Sequence, residues 1–194
     1  MQTMRRVLVT IISAIAVCLS FAQDGAEVSA HLPAQAAADV IRQVASSDAA
    51  FLPAQFIKSG YKRDDLASLI QFPTDEIVVL NLTGAEIKKA LEKSVSSYPQ
   101  PNVSFLQLSG IEATFSKGAP TDQRIQQVII DGAKLDDKHT YSVAMPASLA
   151  RGGLGYFKVW DTSKISKPLP GLTLEKALKG KPYTETSPRW SVSD

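Results

Sequence analysis

The stretch DEIVVLNLTGAEIKKALEKSV, Asp75 to Val95, decides the fold class of this chain. Ile77 to Leu82 is a nearly unbroken apolar run, the pattern of a strand buried in a sheet. It leads directly into Thr83-Gly84-Ala85-Glu86, where the Thr83 side chain is placed to accept an N–H of the first helical turn and Glu86 to reach back to the Thr83 N–H. Beyond that, Ile87, Ala90, Leu91 and Val95 share one helical face, with Lys88, Lys89, Glu92 and Lys93 elsewhere. A strand feeding an amphipathic helix predicts a helix laid on a sheet, and hence an α/β domain.

The flanking sequence extends the pattern. Upstream, AQAAADVIRQV (Ala34 to Val44) has helical spacing, AAFLPA reads as a short strand, and KSGYKRDDLASLI predicts a turn at Gly60 followed by a short helix from about Asp64. Downstream of Pro99 and Pro101, the segments VSFLQLSG, IEATFS, RIQQVIIDGAKL and HTYSVAMP have strand composition and are separated by glycine, proline and aspartate turns. Asp131-Gly132 between apolar runs is a hairpin signal. Leu172 to Leu178 is a helix candidate opened by Thr173 and Glu175, and the chain ends in the polar YTETSPRWSVSD. No repeat or long linker divides residues 23–194, so they are expected to form one domain.

Residues 1–22, MQTMRRVLVTIISAIAVCLSFA, are expected to be a secretory signal peptide. Arg5 and Arg6 precede an apolar run from Val7 to Leu19, and Ser20-Phe21-Ala22 is a small-x-small cleavage site. The run is shorter than the ~20 residues a bilayer requires, which disfavours a retained anchor. Lipid attachment at Cys18 is the alternative to cleavage after Ala22, although Val17 is bulky for such a signal. The expected destination is periplasmic or secreted, with no membrane association after cleavage.

Removing residues 1–22 takes Arg5 and Arg6 from the 21 basic residues and nothing from the 19 acidic ones, so the remainder is formally neutral. The basic pI therefore supports neither nucleic acid nor anionic membrane as a partner. The single cysteine leaves with the leader, which excludes disulfides and cysteine chemistry from residues 23–194.

Catalytic groups are sparse. His31 and His139 are the two histidines, and both read as solvated surface residues. No HxxEH or comparable ligand cluster occurs, so no metal site and no cofactor are expected. No serine stands in a GxSxG elbow, and Asp131, Asp136 and Asp137 fall in turn-like segments where acids serve local hydrogen bonds. The run ARGGLGY, with Gly152, Gly153 and Gly155, suits either a ligand-side loop or a tight connection.

The order of ADVIRQVASSDAAFLPA, the stretch from Gly60 to Val95, SFLQLSGIEATF, the stretch from Arg124 to Phe157, and TLEKAL resembles the C-terminal domain of the 5'-nucleotidase family. The most specific pieces are similar to the family's LTG helix, its FLQxSG strand and its GGDGY turn. The resemblance implies layered mixed sheets flanked by helices. Family members join this domain, which binds base and ribose, to a metallophosphoesterase domain that supplies a dinuclear metal site. The resemblance therefore implies that residues 23–194 bind a nucleoside-like molecule without hydrolysing nucleotides, and that a separately encoded metallophosphoesterase is the partner.

Residue by residue, the carry-over is incomplete. The resemblance implies that the base is sandwiched by two aromatic rings. Phe105 matches the first, whereas Ser148 stands at the second. Stacking of this kind contributes about 1–3 kcal/mol per ring. Gly152, Gly153 and Gly155 match the glycine framework, but Leu154 stands where the family has an acid. FLPAQFIKSG, which should hold the family's substrate arginine, contains none. QFPTDE keeps Phe72 of the family's PFxN segment but not its polar residue. Arg151, beside the glycines, is either a substitute cation or a solvated side chain. Three expectations follow: a nucleotide-binding half, a scaffold that no longer binds nucleotide, or a pocket rebuilt for an apolar ligand around Phe105, Leu154 and Tyr156.

Overall fold

A computed structural model describes residues 25–194; the expected leader and its cleavage site lie outside them. Helix α1 (Leu32–Ala45) precedes strand β1 (Ala49–Pro53). Strand β2 (Glu76–Thr83) runs into helix α2 (Gly84–Val95), followed by β3 (Leu106–Ser109), β4 (Ile111–Ser116), β5 (Ile125–Ile130), β6 (Ala133–Lys134) and β7 (Thr140–Pro146). The short helix α3 (Ala147–Ala150), β8 (Ile165–Thr173), helix α4 (Leu174–Leu178) and β9 (Trp190–Ser193) complete the order. The strands form a five-stranded sheet, β3-β1-β7-β2-β8, and a four-stranded sheet, β6-β5-β4-β9. Both are mixed: β1 is parallel to β7 and β4 to β9, and the other pairs are antiparallel.

The apolar run that suggested a covered strand is covered on both faces. Val78, Leu80 and Leu82 enter the core between the sheets, which α2 also joins through Ile87, Leu91 and Val95. Ile77 and Val79 enter a second core against α1 and α4. Strand β1 divides in the same way, Phe51 to one side and Leu52 to the other, as period-two side-chain alternation requires. On α1, Ala34, Ala37 and Ala38 are fully buried.

The capping box forms as expected: Thr83 Oγ1 accepts the Glu86 N–H at 3.3 Å, and Glu86 accepts the Thr83 N–H at 2.8 Å. Asp131 and Gly132 both have positive φ in the β5–β6 hairpin. Two local expectations are corrected. The short helix near Asp64 is a 3-10 turn, Leu66–Leu69, because the Asp65 side chain accepts the Ala67 N–H at 3.2 Å and fixes a tight start. Glu92, off the apolar face of α2, is buried, its two carboxylate oxygens accepting the N–H groups of Arg124 and Ile125 at 3.0 and 2.8 Å. His31 is half-buried as the N-cap of α1, whereas His139 is exposed.

Strands β8 and β9 were not foreseen. Strand β8 carries Pro168, Pro170 and Gly171, which read as loop, yet prolines are tolerated where β8 lies at a sheet edge. Strand β9 is only four residues long and pairs with β4 from a distant part of the sequence.

Candidate functional site

Strand order brings three separated segments to one end of the larger sheet. Strands β1 and β7 are parallel and so end together, and β2 is antiparallel to β7 with Ile77 opposite Pro146, so β2 begins at that end. The 3-10 turn Ala54–Phe56 after β1, the residues Phe72 to Asp75 before β2, and α3 with the glycine turn after β7 therefore converge. Between them lies a cleft of about 530 Å³.

The walls of the cleft are mainly apolar, made by Phe56, Phe72, Leu149 and Leu154, with Gln55, Thr74, Asp75, Ser148 and Gly153 supplying polar groups. Phe72 is 42% exposed, and its ring meets Phe56 edge-on, with centroids 5.1 Å apart. Its free surface is open to a planar ligand. Asp75 is held from two directions, since the Ser148 N–H and Oγ–H both donate to its Oδ2, at 3.2 and 2.5 Å.

The glycine turn forms one side of the cleft and follows close-packing rules. Gly152 has φ 88°, and a Cβ there would lie 2.7 Å from the Cβ of Phe157. A Cβ at Gly153 would lie 2.7 Å from the Ser148 carbonyl oxygen. Leu154 also adopts a left-handed conformation, φ 56° and ψ 22°, which a leucine takes only under strain from its surroundings. An aspartate, the residue that the family resemblance puts at this position, tolerates that region better.

Tyr156 is not in the cleft lining. It is fully buried, its hydroxyl donates to the Ser104 carbonyl at 2.8 Å, and its ring stacks on Trp160 at 4.8 Å. Burial pushes the tyrosine pKa well up, so the hydroxyl remains a donor. Lys93 sits over the same ring, 5.2 Å from its centre. Burial, with Lys158 nearby, holds the Lys93 pKa below the ordinary lysine value.

The structure thus brings Ser148, Gly153 and Leu154 together in the cleft and leaves Phe105, Gly152, Gly155 and Tyr156 out of its lining. Phe105 is 1% exposed in the core between the sheets, 5.1 Å from Trp190. Arg151 is exposed and does not line the cleft. Phe72, which the sequence retains from the family's PFxN segment, forms a wall of the cleft, whereas Asp75 had no expected role; the signal available for it was an acid two residues after Pro73, just before the buried strand.

The FLQLSG segment has a structural explanation. The buried Gln107 amide donates to the carbonyls of Ala26 and Ser29, each at 2.8 Å, and accepts the His31 N–H at 2.8 Å. Ser109 accepts from Arg42 Nε at 3.0 Å and donates to Asp39 at 2.6 Å. These two side chains fasten β3 to α1 and to the segment before it.

A second, more polar cleft of about 550 Å³ lies at the other end of β7, where Arg42, Asp48, Asp131 and His139 meet. Among the described residues, no three His, Cys, Asp or Glu side chains are grouped to hold a metal ion, and no helix is long and apolar enough to cross a membrane.

A family model described as 5'-nucleotidase, C-terminal domain, matches residues 12–161, which reach through the glycine turn. A 5'-nucleotidase-related protein of Glossina morsitans morsitans is 30% identical over 128 residues, 59% of this chain and 23% of that protein. A trifunctional nucleotide phosphoesterase of Bacillus subtilis is 34% identical over 85 residues, 41% of this chain and 6% of that protein. The chain thus spans less than a quarter of the length of these curated relatives. Among solved structures, the 5'-nucleotidase precursor of Thermus thermophilus superposes with a TM-score of 0.72 at 21% identity, covering 86% of this chain and 36% of that one. At that identity the likeness speaks for the fold.

Proposed function

The chain belongs to the 5'-nucleotidase C-terminal domain family, and from that premise we propose that it is an exported, non-catalytic domain that binds a nucleoside-like molecule in the cleft beside the glycine turn. In this reading its partner is a separately encoded metallophosphoesterase, which supplies the metal chemistry. Export rests on Arg5, Arg6 and the apolar run to Leu19.

The observation that carries the reading is the cleft itself, with an exposed aromatic ring, Phe72, and a tightly packed glycine turn that puts Gly153 and Leu154 in its lining. A base stacked on one ring, without a second ring or an arginine, gains about 1–3 kcal/mol from that contact, so the affinity is expected in the millimolar range. An NMR titration of the purified chain with adenosine is expected to give saturable shifts around Phe72 and Leu154, and Phe72→Ala is expected to weaken binding by about tenfold. The same preparation, given nucleotides and divalent metal ions, is expected to release no phosphate. Metal-dependent phosphate release, sustained after further purification, would overturn the non-catalytic part.

The second reading is a scaffold or interaction domain that has kept the core and dropped the ligand. It is favoured by Ser148, which replaces an aromatic of the family pattern and is engaged by Asp75, and by the absence of arginine from Phe51 to Gly60. Absence of any saturable binding by adenosine or AMP would select it.

A further inference from the structure

Asp75 is the one charged side chain among the residues that line the cleft. Its backbone is fixed on both sides, the N–H donating to the Phe72 carbonyl at 3.2 Å and the carbonyl accepting the Leu174 N–H at 2.8 Å. Its Oδ2 takes both donors of Ser148, while Oδ1 has no hydrogen-bond partner among the described residues. No lysine or arginine lines the cleft, and Asp75 belongs to none of the ion pairs among the described residues. The result is a half-buried, positioned carboxylate facing apolar walls with its charge uncompensated.

Such a group has two consequences for a ligand. It repels an anion, by an amount that falls as salt screens the charge. It also offers Oδ1 as an acceptor for an N–H donor, a charge-assisted contact stronger than a neutral one. Ser148 thereby exchanges the stacking wall expected at its position for a polar anchor, since its hydroxyl and amide hold the carboxylate in one orientation.

We propose that the cleft selects an uncharged planar ligand bearing an amino group, a nucleoside or free base rather than a nucleotide, with Asp75 as the specificity-determining residue. The proposal rests on the binding reading above. It also assigns the domain a place after phosphate removal, because the ligand it prefers is the dephosphorylated product of a phosphoester hydrolysis and not its substrate.

NMR titrations of the full chain with adenosine, inosine and AMP test this. Adenosine is expected to bind at least about tenfold more tightly than AMP at low ionic strength, with the gap narrowing as salt is raised. Inosine, which has a carbonyl in place of the amino group and keeps a donor on that edge only at N1, displaced from the amino position, is expected to bind about three- to tenfold more weakly than adenosine. Asp75→Asn retains an oxygen for the Ser148 donors and removes the charge, and is expected to bring AMP to within about threefold of adenosine. AMP binding as tightly as adenosine to the unaltered chain would sink the proposal and leave the binding reading standing. Failure of all three ligands would remove both. An adenosine-to-AMP gap that persists in a folded Asp75→Asn protein would overturn the assignment to Asp75.

Discussion

The imidazole of His31 accepts the Ala34 N–H through Nδ1 at 3.2 Å, so it caps α1 only while that nitrogen carries no proton. Burial lowers its pKa below the ordinary 6.5, and the remaining proton of the neutral ring sits on Nε2. Because the folded-state pKa is depressed, the stabilisation is present in full above about pH 6.5 and is lost as pH falls through that value towards the folded pKa. His31→Ala is expected to cost about 1 kcal/mol at pH 7 in urea denaturation, and His31→Asn, whose amide oxygen can accept the same N–H, much less. From pH 7 to pH 5 the native protein is expected to lose more stability than His31→Asn does; equal losses would show that the imidazole is not the titrating cap. The sequence offered a histidine followed by Leu-Pro, and with neither serine nor aspartate at the cap the helix start was invisible to the usual signal.

At the level of elements, legibility followed locality. Strand β2 and helix α2 were readable because the near-continuous apolar run, helical spacing and the Thr83–Glu86 box all act within a few residues. Strands β8 and β9 were not, because their hydrogen-bond partners, β2 and β4, lie far away in the sequence and their own residues carry little strand character. The glycine turn was readable as a turn, but its opposite wall was not: Phe72 and Asp75 reach Ser148 and Leu154 only through the pairing of β2 with β7. The turn also makes a stability prediction. Gly152→Ala combines a left-handed φ with a Cβ 2.9 Å from the Phe157 Cα, backbone that cannot simply swing aside. It is expected to cost about 2 kcal/mol or more, and to disturb the cleft through Gly153. Gly118→Ala is the control, since nothing lies within 4 Å of its added Cβ and its φ is ordinary; its effect is expected to stay within about 0.5 kcal/mol.

For the whole molecule, the question is which aromatic carries packing and which faces the ligand. Phe105 lies where the two sheets meet, against Trp190, whose indole N–H donates to the Leu106 carbonyl at 2.8 Å and whose strand pairs with β4. Arg189, beside it, pairs with Asp39 of α1 at 2.9 Å and donates to the Leu108 carbonyl at 3.0 Å. The C-terminal strand is thus tied to β3, β4 and α1 at once, and Phe105 sits beneath that tie. Phe72 is outside it, at the open end of the larger sheet. The two residues are therefore expected to fail differently. Phe105→Leu leaves a partly filled space in a dry core and is expected to lower unfolding stability by about 1–3 kcal/mol, with adenosine affinity of the folded protein within about twofold of the original. Phe72→Leu removes an exposed ring and is expected to change stability by less than about 1 kcal/mol while weakening adenosine several-fold. Chemical denaturation and NMR titration of both variants separate the cases. Loss of affinity in a stably folded Phe105→Leu would return that ring to the ligand and place the binding site between the sheets instead of at their end.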